Sequence, residues 1–253
     1  MTILDRAAPL PDAVLRYDER TDAVIDVFLP EGAAQSLVVF LHGGFWRAAY
    51  DRVHVRPLAV ALAREGFVVA LPEYRRVGSG DSGGGGGWPT TCEDVRLAMT
   101  RLPGLLSATG VVPTRTVLTG HSAGGHLALW LTATGLTELD AVVPLAPVGD
   151  LRAASAIQMG DGAVQAFLGG EPADLASSYD AADPAVLLDG YRPDCPVRIL
   201  HGTADDVVTI ENSRGLMRRH PWIELVELDG VDHFDLVDPE APVHAELLAA
   251  FGA

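Results

Sequence analysis

The sequence contains no lysine: all 18 basic residues are arginine, set against 34 acidic residues for a formal charge of −16. Without an ε-amine there can be no pyridoxal Schiff base, no P-loop phosphate lysine and no Ser-Lys dyad. Cysteine is nearly absent too. Cys92 and Cys195 lie far apart and belong to no CxxC pair, which argues against a structural zinc site and for two free thiols in a reducing compartment. No apolar stretch reaches the roughly 18 residues that span a bilayer. The opening "MTILDRAAPLPDAVLRYDE" lacks the apolar core of a secretory signal, so a cytoplasmic location is expected. The acidic surface repels phosphate backbones and anionic lipid, and neither nucleic acid nor membrane is expected as a partner. There are no internal repeats.

The chain has 253 residues, 48% of them hydrophobic, enough for one α/β domain with a sizeable core, and no compositional break marks a linker. Short apolar runs read as strands: Ala23–Pro30, Ser36–His42, Phe67–Pro72, Thr116–Gly120, Ala141–Ala146, Pro196–Gly202 and Ile223–Leu228. Several are apolar on both faces, as in a parallel sheet covered by helices. The first alternates better and reads as an antiparallel edge. Helices are expected at Val53–Glu65, Thr91–Leu102, Ala123–Thr134, Ile210–His220 and Pro239–Phe251. The alternation predicts a doubly wound, mostly parallel α/β sheet whose ligands bind beyond the carboxyl ends of its strands. Two segments interrupt it. Val77–Thr91 carries five consecutive glycines and reads as a mobile loop. Residues 148–188 lack a clear strand and read as a short helical, cap-like insertion.

Residues just after strands are therefore the ones to inspect. Gly120-His121-Ser122-Ala123-Gly124 fits G-x-S-x-G, a sharp strand-to-helix turn that strains the backbone and lifts a serine hydroxyl into a site. A β-carbon at either flanking glycine would strike the neighbouring strand or helix. The helix that follows directs free N–H groups and its positive end at developing negative charge. The bland alternative is a helix N-cap serine in a glycine-rich turn. After the "LVVFL" run come His42, Gly43, Gly44, Phe45 and Trp46. Paired glycines there let backbone amides approach a substrate oxygen, and the expected oxyanion donors are the amides of Gly44, Phe45 and Ala123. Gly43 and Trp46 are candidate substrate-binding residues, with packing as the alternative for Trp46.

A serine nucleophile needs a base, and eight histidines compete. His42 and His121 sit within the two turns, and His126 and His201 suit structural roles. His54, His220 and His244 fall in helical stretches and read as surface positions. His233, in "LDGVDHFDLV", follows the last strand, where the base belongs in the order Ser, acid, His. The acid should follow the preceding strand, in "VRILHGTADDVV". Asp205 is the expected partner of the imidazole, with Asp206 as a solvated neighbour.

These landmarks, "HGGFW", "GHSAGGHLA", "HGTADDVV" and "DHF", resemble the α/β-hydrolase superfamily over nearly the whole chain. The tryptophan in His-Gly-Gly-x-Trp is similar to that of the kynurenine formamidase (arylformamidase) group and related small esterases. The chain departs from that group at Gly125, where alanine is common, and in its Gly83–Gly87 run. The resemblance implies an α/β-hydrolase fold with Ser122 as nucleophile, Asp205 as acid and His233 as base, working without metal or organic cofactor. It implies cleavage of a small ester or an aryl formamide such as N-formyl-kynurenine. A general carboxylesterase, an acyltransferase using the same triad and a non-catalytic binding protein are the alternatives. The oligomeric state is open, a homodimer included.

Overall fold

The computed structural model describes residues 6–7, 10–32, 36–78, 85–135 and 138–252. An eight-stranded sheet has the order β1-β2-β4-β3-β5-β6-β7-β8. Its strands are β1 (Ala13–Arg16), β2 (Val24–Phe28), β3 (Ser36–Leu41), β4 (Val68–Pro72), β5 (Arg115–His121), β6 (Ala141–Leu145), β7 (Arg198–Gly202) and β8 (Glu224–Leu228). β2 pairs antiparallel with both β1 and β4, and every other pairing is parallel. The expected antiparallel strand is therefore present but is not the edge. A four-residue strand, β1, unmarked in the sequence reading, covers it.

Side chains that alternate along each strand feed two cores. Leu37, Val39 and Leu41 of β3 join one cluster, whereas Val38 and Phe40 join the other. The first core is closed by α2 (Thr90–Ala108), through Val95 and Leu102, and by α3 (Ala123–Ala133), through Leu127. The second is closed by α1 (Arg56–Arg64), through Leu58 and Leu62, and by α9 (His244–Phe251), through Leu247 and Phe251. Helices thus cover both faces, and the strands buried on both sides are mostly apolar; their buried polar exceptions have partners, among them Asp26 of β2 with Arg56 and Thr119 of β5 with the Val143 carbonyl. α2 runs on past Pro103, where the sequence suggests a stop. The proline side is exposed, while Leu102 and Leu106 keep the inner face buried.

Between β6 and β7 the chain forms four α-helices, a short 3-10 turn and no strand: α4 (Leu151–Ala156), α5 (Met159–Leu168), α6 (Ala176–Ala182) and α7 (Pro184–Leu187). α8 (Glu211–Arg219) follows β7 and packs Leu216 against Leu129 of α3. Of the glycine-rich loop, residues 79–84 lie outside those described, and with them the expectation of mobility there. The described part is anchored: Gly86 N–H donates to the Arg76 carbonyl (2.9 Å) and Trp88 N–H to that of Phe167 (2.8 Å). Among the described residues no helix is long and apolar enough to cross a membrane, and Cys92 and Cys195 are free thiols.

Candidate active site

Four chain turns meet beyond the carboxyl ends of β3, β5, β7 and β8. The β5 turn carries Ser122 at φ 56°, ψ −117°, a conformation that an L-residue holds only when its surroundings force it. They do so here. Ser122 N–H donates to the Leu145 carbonyl (2.9 Å), and its own carbonyl accepts from His126 (3.1 Å) and Val148 (3.3 Å). At Gly124 a β-carbon would lie 2.0 Å from the Leu41 carbonyl oxygen and 2.4 Å from that of His42. Only glycine lets the helix start this close to the end of β3.

The β3 turn brings Gly43 against the serine: a β-carbon there would stand 3.3 Å from Ser122 Cβ. Gly44 follows at φ 107°, with Tyr50 Cβ occupying the space its own side chain would need. Phe45 and Trp46 continue at φ 51° and 55°. The amides of Gly44 and Phe45 donate to no acceptor among the described residues. Beneath the turn lies a buried ionic cluster. His42 bonds Glu73 through Nε2 (3.0 Å) and stacks on Tyr74 at 4.1 Å between ring centroids. Arg52 bridges Glu73 (3.2 Å) and Asp26 (3.0 Å). Burial alone would raise the Glu73 carboxyl, but His42 and Arg76 outweigh it and hold it at about 2.

Asp205 and His233 are in contact: Nδ1 of the imidazole hydrogen-bonds Oδ2 of the carboxylate at 2.6 Å. The other oxygen, Oδ1, accepts from the amides of Val207 (2.9 Å) and Val208 (2.8 Å). Burial pushes the Asp205 carboxyl up, yet hydrogen bonds from His201 and His233 prevail and hold it well below the usual carboxylate range. Asp206 is exposed. His121 braces that imidazole from the far side, its Nε2 bonded to the His233 carbonyl (2.9 Å) and its ring 4.3 Å from that of His233. Burial, then the neighbouring His233, drives His121 far below its ordinary value, so it stands as a neutral donor.

Ser122 and His233 share one cavity of about 90 Å³ with Gly44, Phe45, Tyr50, His54, His121, Val207, Phe234 and Val237. Pockets that enclose a drug-sized molecule hold roughly 300–1,000 Å³. None of the lining residues is acidic or an arginine. Gly43 and Ala123 are buried and are not among the lining residues.

Trp46 departs from the expectation of a substrate-binding residue. It is fully buried, stacked on Phe167 of α5 (4.5 Å) and edge-on to His126 (5.1 Å). Its positive φ swings the indole into the core between the turn and the helices that follow β6. Two histidines read as surface groups are also corrected. His220 is buried on the Ala185 carbonyl (2.9 Å), and His54 lines the cavity. The only hint of His54 in the sequence is its place 12 residues after His42, at the start of the helix that follows the turn. Among the described residues no cluster of His, Cys, Asp and Glu could hold a metal ion.

The sheet and its four turns make an α/β-hydrolase fold. Esterase B of Lactobacillus rhamnosis superposes with a TM-score of 0.77 at 19% identity, over 97% of this chain and 87% of that one. Residues 25–219 match the model of the BD-FAE family, and the chain belongs to that family. It is also 28% identical over 221 residues, 81% of its length and 46% of the relative's, to the "probable carboxylic ester hydrolase LipM" of Mycobacterium tuberculosis. A kynurenine formamidase of Danio rerio is 29% identical over 131 residues, 49% of this chain and 39% of that protein. The chain spans less than half the length of either relative.

Proposed function

We propose that the protein is a serine hydrolase that cleaves a small carboxylic ester or an aryl formamide through an acyl-enzyme on Ser122. The observation that carries the reading is a strained serine and an Asp205-paired His233 opening on the same small, uncharged cavity. The names of the ester hydrolase and formamidase relatives support it.

In the proposed reaction His233 takes the hydroxyl proton as Ser122 Oγ attacks the carbonyl carbon. The amides of Gly44, Phe45 and Ala123 hold the oxyanion, the last at the positive end of α3. His233 then gives the proton to the leaving alcohol or amine, and Asp205 keeps the imidazole in the right tautomer. Water, activated by the same histidine, attacks the acyl-enzyme and returns Ser122. The cavity's size favours formyl, acetyl or similarly short acyl groups over long chains.

The test is a comparison of kcat/KM for N-formyl-kynurenine, p-nitrophenyl acetate and p-nitrophenyl octanoate, with Ser122→Ala as control. The two short acyl groups should exceed octanoate, and the alanine variant should be inactive. Preference for octanoate, or activity that survives loss of Ser122, would overturn the reading. A formamide advantage of about a hundredfold over both esters, near 2.7 kcal/mol, would single out the formamidase.

A further inference from the structure

Two polar side chains that line the cavity, Tyr50 and His54, have no use in the reaction just described, and His54 is the less exposed of them. It sits in a single 3-10 turn, Arg52–Val55, opened by Asp51, whose side chain accepts from Val53 N–H (2.9 Å). Val55 anchors the turn in the core, Val53 faces solvent, and His54 between them becomes one wall of the cavity. The apolar part of the cavity lining is Phe45, Val207, Phe234 and Val237.

The ring's hydrogen bonding is unfinished. Nδ1 is buried with no partner. Burial, followed by the charge of His42, lowers His54 to about 4, against the opposing pull of the Asp51 backbone. His42 stands edge-on at 5.9 Å and cannot help, because its own nitrogens are engaged by Gly43 and Glu73. The ring is thus uncharged near neutral pH, with one nitrogen able to donate and the other to accept. Leaving a buried polar group unsatisfied costs on the order of 1–3 kcal/mol, and phenylalanine or leucine would line the wall without that penalty.

We propose that His54 is a specificity-determining residue, the hydrogen-bonding partner of a polar atom that the substrate carries close to its scissile carbonyl. The proposal rests on the esterase reading above and narrows it: the substrates are short esters or amides bearing a hydroxyl, ether or amide group beside the bond that breaks. An apolar isostere leaves His54 unpaired and is rejected.

Two isosteric pairs test this in a pH-stat. Ethyl glycolate and ethyl propionate exchange hydroxyl for methyl on the acyl side. 2-Hydroxyethyl acetate and propyl acetate make the same exchange on the alcohol side. The readout is the hydroxyl-to-methyl ratio of kcat/KM, compared between wild type and His54→Leu, so that the intrinsic reactivity of each ester cancels. The ratio for one pair should fall about tenfold in the leucine variant, the loss of one hydrogen bond. His54→Gln and His54→Asn place an amide near Nε2 and Nδ1 respectively, and they carry the test if the leucine variant does not fold. One should keep the wild-type ratio and the other lose it. Ratios for both pairs that are unchanged across the variants overturn the role of His54 alone. Failure of wild type to hydrolyse any of the four esters overturns the role of His54 in ester selection, and failure on N-formyl-kynurenine and p-nitrophenyl acetate as well overturns the proposed function.

Discussion

Replacing Asp205 by asparagine should disable the proposed enzyme while leaving its architecture in place, and the hydrogen bonds say why. Oδ1 holds the amides of Val207 and Val208 at 2.9 and 2.8 Å, whereas Oδ2 faces His233 Nδ1 at 2.6 Å and His201 Nε2 at 3.3 Å. An asparagine keeps its oxygen on the two amides, because they are two donors and nearer than His201 Nε2, and an N–H facing an N–H is unfavourable. Its amide nitrogen must then point at His233. The imidazole answers by moving its proton to Nε2, the nitrogen that has to accept from Ser122. A base in the wrong tautomer costs about 10⁴ in kcat in triads of this form, which is about 5 kcal/mol of transition-state stabilisation. The assay is hydrolysis of p-nitrophenyl acetate, with Asp206→Asn as the matched control. Asp206 is exposed, and its variant should stay within about threefold of wild type, as surface substitutions do. Asp205→Asn retaining more than about a tenth of the activity, or Asp206→Asn losing as much, would refute the assignment.

Two further substitutions test the scaffold. Gly124→Ala would place a β-carbon 2.0 Å from a backbone oxygen that cannot move, whereas Gly125→Ala meets nothing closer than Pro147 Cβ at 2.8 Å, with backbone atoms at 2.9 and 3.0 Å. The first should prevent recovery of folded protein, while the second should fold with a loss of about 1–3 kcal/mol; Gly124→Ala as stable as wild type in urea would contradict the close approach. Asp183 caps α7, accepting from the amides of Arg152 and Ala185 at 3.1 Å; burial, then Asp150, pushes its carboxyl from 3.8 up to about 6. The folded protein therefore binds the proton more tightly than the unfolded chain, and stability falls as pH rises through that window, by up to roughly 3 kcal/mol. In thermal melts, the Tm of Asp183→Asn relative to wild type should increase between pH 4 and pH 7; a constant difference would show that the carboxyl is not perturbed.

What the sequence displays and what it conceals follow from how far each signal reaches along the chain. Strands buried on both faces are mostly apolar, so β3, β4, β5 and β6 stand out. The turn that holds Ser122 directly follows such a run, and those that hold Asp205 and His233 follow shorter or half-exposed strands whose order after Ser122 marks them, which is why these three expectations can be drawn from local context. β1 is only four residues long, with every second residue exposed, and offers no such pattern. The extent of α2 depends on Leu106 finding the core beyond Pro103, a fact of packing that the proline obscures. The positions of His54, His220 and Trp46 depend on distant segments. His220 is buried by Ala185, and Trp46 is claimed by Phe167, 121 residues away in sequence. A tryptophan beside the glycine turn gives no sign of which way a positive φ will throw it.

That positive φ bears on how the site holds its shape. Phe45, Trp46 and Ser122 all adopt backbone conformations that disfavour side chains, at about 1–3 kcal/mol each. Such strain persists only where relaxation would break something stronger. At Ser122 relaxation would part the helix start from the ends of β3 and β6. At Phe45 and Trp46 the opposing contacts are spread out: Val77 N–H donates to the Trp46 carbonyl (2.6 Å), and Ala48 N–H returns a bond to Val77 (2.9 Å). The indole is locked against Phe167, and Arg47 reaches from the same turn to the Gly160 carbonyl in α5. Gly160 has no room for a β-carbon, because the Phe45 ring lies 2.6 Å from where one would be. The helices between β6 and β7 therefore clamp the turn whose amides are proposed to hold the oxyanion. Trp46 would serve the reaction without touching the substrate, by fixing where Gly44 and Phe45 point.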